Sequence, residues 1–443
     1  MHIFGSYWAY FSGCQVLRSK RWARLSPRTS RPSPGRFELR IAVVSPFLDR
    51  QHGTERCIVE QIEYFLRQPG CEIHIYSQSI QDLDVVRFER SPVPPSASGK
   101  AVWHRIPTLP GPHLLNFFWW YFANQALRWY QQKFRGLRFD LVFSPGINCR
   151  DADAIVVHIV FHEFFRLVHG DLRLRDAPLS RWPILIHRIL YYRLIMALEN
   201  RIYRNPRVNL AAVSRLTAGE LTQHFARPDV AIIPNAVDLA RFNPPERLRR
   251  RDQARKLLQL SENEFALLLV GNDWKKKGLG TLLTSIAAIQ HLPLRLLIVG
   301  RDDRAPFLEQ IQHLHLEGRV FFLDPSSDIM HFYSAADVYT GPSLHDSFAL
   351  PPIEAMACGL PVITSVTNGG SQIITEGFDG FVLSDAQDSV ALSRLISQLY
   401  EQPELRRSVG ENAARTAKSY SWERNASETW EFLAKAATSS HTL

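Results

Sequence analysis

Asp346 and Glu354, eight positions apart in GPSLHDSFALPPIEAMACGLPVITS (341–365), are the densest chemical signal in the chain. Pro351 and Pro352 between them mark a helix start, because a missing N–H is harmless in the first helical turn. The pattern predicts a helix over 352–358 that Gly359 closes. Asp346 then lies in the preceding loop and Glu354 on the first turn. The N–H groups of Phe348, Ala349 and Leu350 would face outward, an anion site suited to a diphosphate. A carboxylate on either side can accept hydrogen bonds from the hydroxyls of a sugar and a ribose. The plainer alternative is that both acids only complement the positive end of the helix.

The elements that must position these acids alternate between short β-branched runs and helical patterns. LRIAVVSP (39–46), CEIHIYS (71–77), FDLVFS (139–144), AIVVH (154–158) and VNLAAVS (208–214) read as strands, with a helix over about 54–67. The rhythm restarts at FALLLVG (265–271), LRLLIVG (294–300), RVFFL (319–323), DVYTG (337–341) and LPVITS (360–365). Such βαβα order predicts parallel sheets with helices on both faces. The fold class is α/β: two doubly wound, Rossmann-like domains facing a central cleft, with ligand expected at the carboxyl ends of the strands. The expected boundaries are 37–235 for the first domain and 236–420 for the second. IIPNAVDLARFNPPERLRRR (232–251) is the connector between them. A last helix, 421–437, is expected to brace the first domain.

Composition narrows the class. The chain has 443 residues, 45% hydrophobic and 21% charged, enough for a sizeable core. Of its net charge of +9, seven units come from residues 1–36, which hold Arg18, Lys20, Arg21, Arg24, Arg28, Arg31 and Arg36 and no acid. The remainder is near neutral, so nothing in it calls for nucleic acid. Residues 1–36 are expected to be a mobile basic extension, since their charges follow the apolar start instead of preceding it as in a signal peptide. No run of 18 apolar residues predicts a membrane span. Five cysteines, none in a C-x-x-C pair, suit a reduced, cytoplasmic compartment.

The run D-S-F-A-L-P-P-I-E-A-M-A-C-G-L-P-V resembles the E-x7-E donor motif of retaining glycosyltransferases of family 4, on the GT-B fold. The resemblance covers roughly residues 39–437. IIPNAVDLARFNP (232–244), LLIVGRDD (296–303), YSAADVYTGPS (333–343) and NGG...EGFDGFVLS (368–384) agree with it in order and spacing. The chain looks most like the lipopolysaccharide core glycosyltransferases, through G-x-D-x-x-x-K-G at Gly271–Gly278. The resemblance implies a nucleotide-sugar donor held by Gly53, Asn272, Lys277, Asp346, Ser347, Phe348, Ala349, Leu350 and Glu354. Glu354 would hold the ribose and Lys277 the diphosphate, with His158 and Asp346 on the sugar. Lys277 would offset charge growing on the leaving group, so no metal ion and no other cofactor is expected. Lys275 and Lys276 read as a solvated turn, and His162, four residues after His158, as structural.

Three residues depart from the family pattern. Asp346 is one methylene shorter than the usual glutamate, Asn272 replaces an arginine, and Ala349 replaces a glycine. The acceptor side is expected in two aromatic, basic stretches, 113–138 and 181–204, the first containing FFWWYF and Arg128, Lys133, Arg135 and Arg138. They suit a glycan or lipid-linked acceptor and peripheral contact with anionic lipid on the cytosolic face of the inner membrane. The alternative is a core-facing apolar stripe with a solvated basic back. The implied role is hexosyl transfer in cell-surface polysaccharide or lipopolysaccharide synthesis. Rival readings are a GT-B sugar-nucleotide epimerase, a glycogen-type phosphorylase, or a degenerate sugar-nucleotide binding module.

Overall fold

A computed structural model of the chain describes residues 39–50, 52–81, 83, 99–172, 175 and 178–440. The basic extension 1–36 lies outside the described residues. Fifteen strands are described: β1 (Leu39–Val44), β2 (Phe47–Leu48), β3 (Cys71–Ser77), β4 (Ser79–Ile80), β5 (Lys100–Arg105), β6 (Leu141–Ser144), β7 (Ala154–Val157), β8 (Asn209–Ala212), β9 (Ala231–Ile232), β10 (Phe265–Val270), β11 (Leu294–Val299), β12 (Val320–Leu323), β13 (Val338–Gly341), β14 (Val362–Ser365) and β15 (Phe381–Leu383). The first sheet runs β5-β3-β1-β6-β7-β8-β9 and the second β12-β11-β10-β13-β14-β15, with a small β2-β4 pair beside them. Every pairing in both large sheets is parallel. The strand sequences explain this. All six residues of β10 are buried, as a strand covered by helices on both faces requires.

The pleat sorts each strand between layers. Ile41 and Val43 of β1 enter one apolar cluster while Ala42 and Val44 enter another. The first cluster continues through Val237 and Phe242 of the connector into Leu268 and Val270 of β10, so one core runs from domain to domain. The helices that bear on the site are α1 (Gly53–Phe65), α2 (His113–Arg135), α3 (Phe161–Val168), α4 (Trp182–Tyr203), α5 (Arg215–Phe225), α6 (Pro244–Leu257), α7 (Leu279–Ala287), α8 (Leu350–Ala357) and α9 (Trp422–Ser440). The second half of the connector is therefore helix α6, capped by Asn243, whose side chain accepts from the Glu246 N–H at 2.9 Å. Arg251 pins it to the second domain through Asp337 at 2.6 Å.

Helix α9 crosses back onto α1. Gln61, fully buried on α1, donates to Asn425 Oδ1 at 2.9 Å and Thr429 Oγ1 at 3.1 Å, and Phe65 packs on Trp430 at 5.4 Å between ring centroids. Cys57, Cys71, Cys149 and Cys358 are buried free thiols. Among the described residues, no helix is long and apolar enough to cross a membrane.

Helix α2 buries Trp120 and Tyr121 as a core-facing stripe would, but polar groups are buried beside them. Its inward face carries Asn116, Asn124, Arg128 and Gln131, all buried. The Arg128 guanidinium bonds Asn124 at 2.8 Å and Asp151 at 2.5 Å and lies over Tyr76. Its outward face also carries apolar groups: Leu115 is 60% exposed, Phe122 61%, Trp129 56% and Phe134 61%.

Candidate functional site

The site is built from the two loops that leave the adjacent parallel strands β10 and β13. After β10 comes Gly271–Gly278. Gly271 has φ +135°, and a Cβ there would lie 3.0 Å from Lys277 Cε, so the missing side chain lets the lysine fold back over the strand end. Gly278 has φ +78°, and a Cβ on it would lie 2.0 Å from the Pro342 carbonyl oxygen. Only glycine allows the loops to close on each other there. The Leu344 N–H donates to the Lys276 carbonyl at 2.7 Å, locking the register of the two loops.

Within this clasp Lys277 Nζ sits 2.5 Å from Asp346 Oδ2. The residues expected to hold the diphosphate and the sugar are thus in direct contact, with side chains 13% and 22% exposed. The Phe348 N–H donates to Asp346 Oδ1 at 3.1 Å, and the Ala349 N–H to Asn368 Oδ1 at 3.3 Å. The amides of the expected anion cradle are thus partly engaged within the protein. Two of its three amides are satisfied by side chains, one by Asp346 of the donor motif and the other by Asn368 from the segment after β14. Asn272 lends its Oδ1 to the Arg301 N–H at 2.8 Å. The carbonyl of Ser347 is held against Gly369, where a Cβ would approach it to 2.0 Å.

Helix α8 begins at Leu350, with Ala349 as its N-cap, so Glu354 stands past the first turn that the proline reading gave it. Glu354 is buried. Tyr333 donates its hydroxyl to Glu354 Oε2 at 2.7 Å, and Arg56 Nη1 stands 3.6 Å from Oε1. Burial pushes the Glu354 carboxyl above the usual carboxylate range, while the Tyr333 bond and the Arg56 charge oppose the shift. Arg56 belongs to the first turn of α1, spans to Asp238 at 3.7 Å, and rests on the Trp422 ring. Gly53 opens the same helix, and a Cβ on it would meet Leu350 Cδ1 at an ordinary 3.5 Å. The amino ends of α1 and α8 therefore converge across the cleft.

His158 follows β7 on the first domain. Its Nε2 is buried with no hydrogen-bond partner among the described residues, and burial pushes its pKa down to about 4. The ring is neutral at neutral pH. No hydrogen bond joins it to Lys277 or Asp346 among the described residues, but α3, which starts three residues on, reaches their loop: Lys276 Nζ lies 3.9 Å from the Phe164 ring centroid. Lys276 is not the solvated residue expected. Its side chain is 17% exposed, paired with Asp273 at 2.9 Å, and burial lowers its pKa. His162 is bonded through Nδ1 to the fully buried Glu199 at 2.7 Å, a helix-capping arrangement that also takes the Phe161 N–H. Among the described residues, no three His, Cys, Asp or Glu side chains converge as metal ligands would.

Sequence reasoning missed Arg56, Tyr333, Asn368 and the hydrogen bond of His345 with Glu220. Tyr333, His345 and Asn368 stood inside quoted motifs, but each acts on a partner distant in sequence, which no local pattern shows.

Two family models cover most of the chain between them. The model described as Glycosyltransferase Family 4 matches residues 52–241, and that described as Glycosyl transferases group 1 matches residues 250–416. The D-inositol 3-phosphate glycosyltransferase of Salinispora arenicola is 31% identical over 245 residues, 51% of this chain and 54% of the relative. That of Corynebacterium urealyticum is 31% identical over 217 residues, 46% and 50% of the two chains. The chain thus spans about half the length of the curated relatives it matches. Among solved structures, WaaG, a glycosyltransferase involved in lipopolysaccharide biosynthesis, has a TM-score of 0.67 at 18% identity, over 89% of this chain and 99% of that one. HepE of Anabaena, solved in complex with UDP-glucose, has a TM-score of 0.61 at 18% identity, over 90% and 100%.

Proposed function

Because the chain belongs to the family 4 glycosyltransferases of the GT-B fold, we infer that it moves a sugar from a nucleotide-sugar donor to a hydroxyl of a glycan or lipid-linked acceptor, with retention of anomeric configuration. The observation that carries this reading is the contact of Lys277 with Asp346 at the carboxyl ends of β10 and β13, 2.5 Å apart. It puts a cation where a diphosphate leaving group would gain charge and a carboxylate where sugar hydroxyls would need an acceptor. Lys277 takes the diphosphate, and Asp346 and His158 take the sugar. Glu354, whose Oε1 stands 3.6 Å from Arg56, takes the ribose. Gly53, Asn272 and the stretch Ser347–Leu350 complete the donor surface.

No nucleophile is assigned. The bond from the anomeric carbon to the leaving phosphate oxygen breaks as the acceptor oxygen bonds to that carbon on the same face. The acceptor proton passes to the leaving phosphate. Lys277 supplies the positive charge, so the reaction is metal-independent, and turnover survives EDTA.

The relatives are named for a soluble polyol phosphate and the structural neighbour for lipopolysaccharide. The outward aromatic face of α2 favours a lipid-borne acceptor at the cytosolic face of the inner membrane, in cell-surface polysaccharide or lipopolysaccharide synthesis. A thermal-shift panel of UDP, GDP and ADP sugars tests the donor. A hundredfold excess over Kd stabilises by about 2.7 kcal/mol, and a panel without any shift refutes the reading.

A further inference from the structure

The loop that carries Asp346 is held from the other domain. His345 Nε2 lies 2.7 Å from Glu220 Oε1, with the two side chains 11% and 7% exposed. Glu220 projects from α5 of the first domain, whereas His345 immediately precedes the acid that contacts Lys277. A carboxylate only accepts, so Nε2 carries the hydrogen. The second oxygen, Glu220 Oε2, is buried without a hydrogen-bond partner among the described residues. A half-satisfied buried carboxylate is costly and adds little to stability. Its position gives it a different use.

The rest of α5 shows what that use is. Its N-cap Ser214 accepts from the Thr217 N–H at 3.1 Å, and its Oγ is 2.3 Å from where a Cβ on Gly369 would lie. The Arg215 N–H donates to Gln372 Oε1 at 2.7 Å. Gly369 in turn donates its N–H to the Asp346 carbonyl at 2.7 Å. One helix of the first domain thus meets the donor loop from two sides: its amino end braces the segment beneath Asp346, and Glu220 grips the residue before it.

We propose that Glu220 is a positioning residue which, through His345, sets the donor loop and its Asp346 against the first domain. It touches no substrate. The proposal rests on the donor reading of Asp346, and it predicts a loss in the turnover step more than in nucleotide binding, because Lys277 belongs to the second domain alone.

The test is a double-mutant cycle of Glu220→Met and His345→Phe, which remove the acceptor and the donor at similar side-chain volume. Turnover of the donor found by thermal shift, affinity for its nucleoside diphosphate, and amide exchange over 342–349 are measured together. Each single variant is expected to lower kcat by about tenfold to a hundredfold, as a small misplacement does. Diphosphate affinity should change less than threefold. The double variant should be no worse than the poorer single one, since each loss is the same lost contact. Amide exchange over 342–349 should quicken in all three variants, while exchange in β10 and β11 stays unchanged. Multiplying losses in kcat, or unchanged exchange over 342–349, overturns the proposal. The exchange readout needs no donor, so a wild-type chain that binds no nucleotide sugar would sink the donor reading while leaving the latch to be judged on its own.

Discussion

Lys277→Ala is the substitution that separates a specific phosphate contact from a diffuse basic patch. A unit charge pair about 4 Å apart at an effective dielectric of about 20 interacts by about 4 kcal/mol. Lys277 Nζ is already 2.5 Å from Asp346, in a pocket that leaves its side chain 13% exposed, so the screening of bulk water is largely removed. The share of this attraction that grows as charge moves onto the leaving phosphate sets the effect on rate. Loss of one such preorganised group costs about 2.7–4 kcal/mol, or about 10²–10³ in kcat. Lys275, exposed on the same loop, should change stability by less than about 0.5 kcal/mol and leave kcat nearly untouched. Lys276→Ala should lower Tm, since it removes a buried side chain that ties the loop to Phe164, with a smaller loss in kcat than Lys277→Ala. The assay is initial-rate kinetics at saturating donor for all three variants, with melting curves alongside. Equal losses from Lys275→Ala and Lys277→Ala, or a Lys277→Ala enzyme changed only in donor KM, would refute the leaving-group role.

Other outcomes follow from the same geometry. Glu354→Gln should raise donor KM by about tenfold or more, through loss of a charged hydrogen bond worth about 1.5–3 kcal/mol. It should also melt higher than wild type at pH 7: burial raises the Glu354 carboxyl above its unfolded value, so wild-type stability falls as pH rises through that window. The gain should vanish in melts taken below the ordinary carboxylate range, and a pH-independent gain would assign it to packing. Gly53→Ala should fold with Tm unchanged or slightly raised, because a Cβ there meets Leu350 at an unstrained 3.5 Å, yet donor binding should weaken if a ligand fills that space; unaltered donor kinetics would remove Gly53 from the site. Co-sedimentation with vesicles containing anionic lipid should be salt-sensitive and should fall when Phe122, Trp129 and Phe134 are replaced together by serine. Binding that survives in that variant but is lost on removing residues 1–36 would move the contact to the extension.

The parallel strands were legible because a strand covered on both faces is apolar without interruption. β10 and β11 each end in Val-Gly, where the chain must turn sharply towards the cleft. The edge strand β5, KAVWHR, was not legible: it alternates buried and exposed residues, mixes charge with a tryptophan, and pairs on one side only, with β3. The start of α8 was displaced because prolines are tolerated throughout the first turn, where no N–H has a helical acceptor, so Pro351 and Pro352 bound the start without fixing it. For the site, types and spacing named Asp346 and the family resemblance named Lys277, since both lie in loops read from local motifs. Lys276 was misjudged because what buries it is Phe164 of the other domain. The polar groups buried on helix α2 escaped the sequence reading for a related reason. Arg128 finds Asn124 one turn earlier, a local cue, but also Asp151 and the Tyr76 ring from other elements, and together they pay for an internal arginine.

The cleft balances its own charge before any ligand arrives. Lys277 is matched by Asp346, and Arg56 by Asp238 and Glu354. A nucleotide diphosphate entering this site therefore competes for Lys277 with a carboxylate that is already in place. On the proposed reading, the diphosphate takes the lysine and Asp346 turns its freed oxygen to the sugar, so one exchange of partners couples phosphate binding to sugar recognition. The shorter side chain at this position fits that exchange. Asp346 is anchored through Oδ1 by the Phe348 N–H at 3.1 Å, and only Oδ2 is committed to the lysine. A glutamate there would extend beyond the turn that makes this anchor. Asp346→Glu should therefore be a poor substitute despite restoring the family's residue, unless Ala349 is changed to glycine with it to let the loop resettle. The kinetics of the single and double variants decide the point: full activity from Asp346→Glu alone would show that the anchor on Phe348 contributes nothing to the exchange.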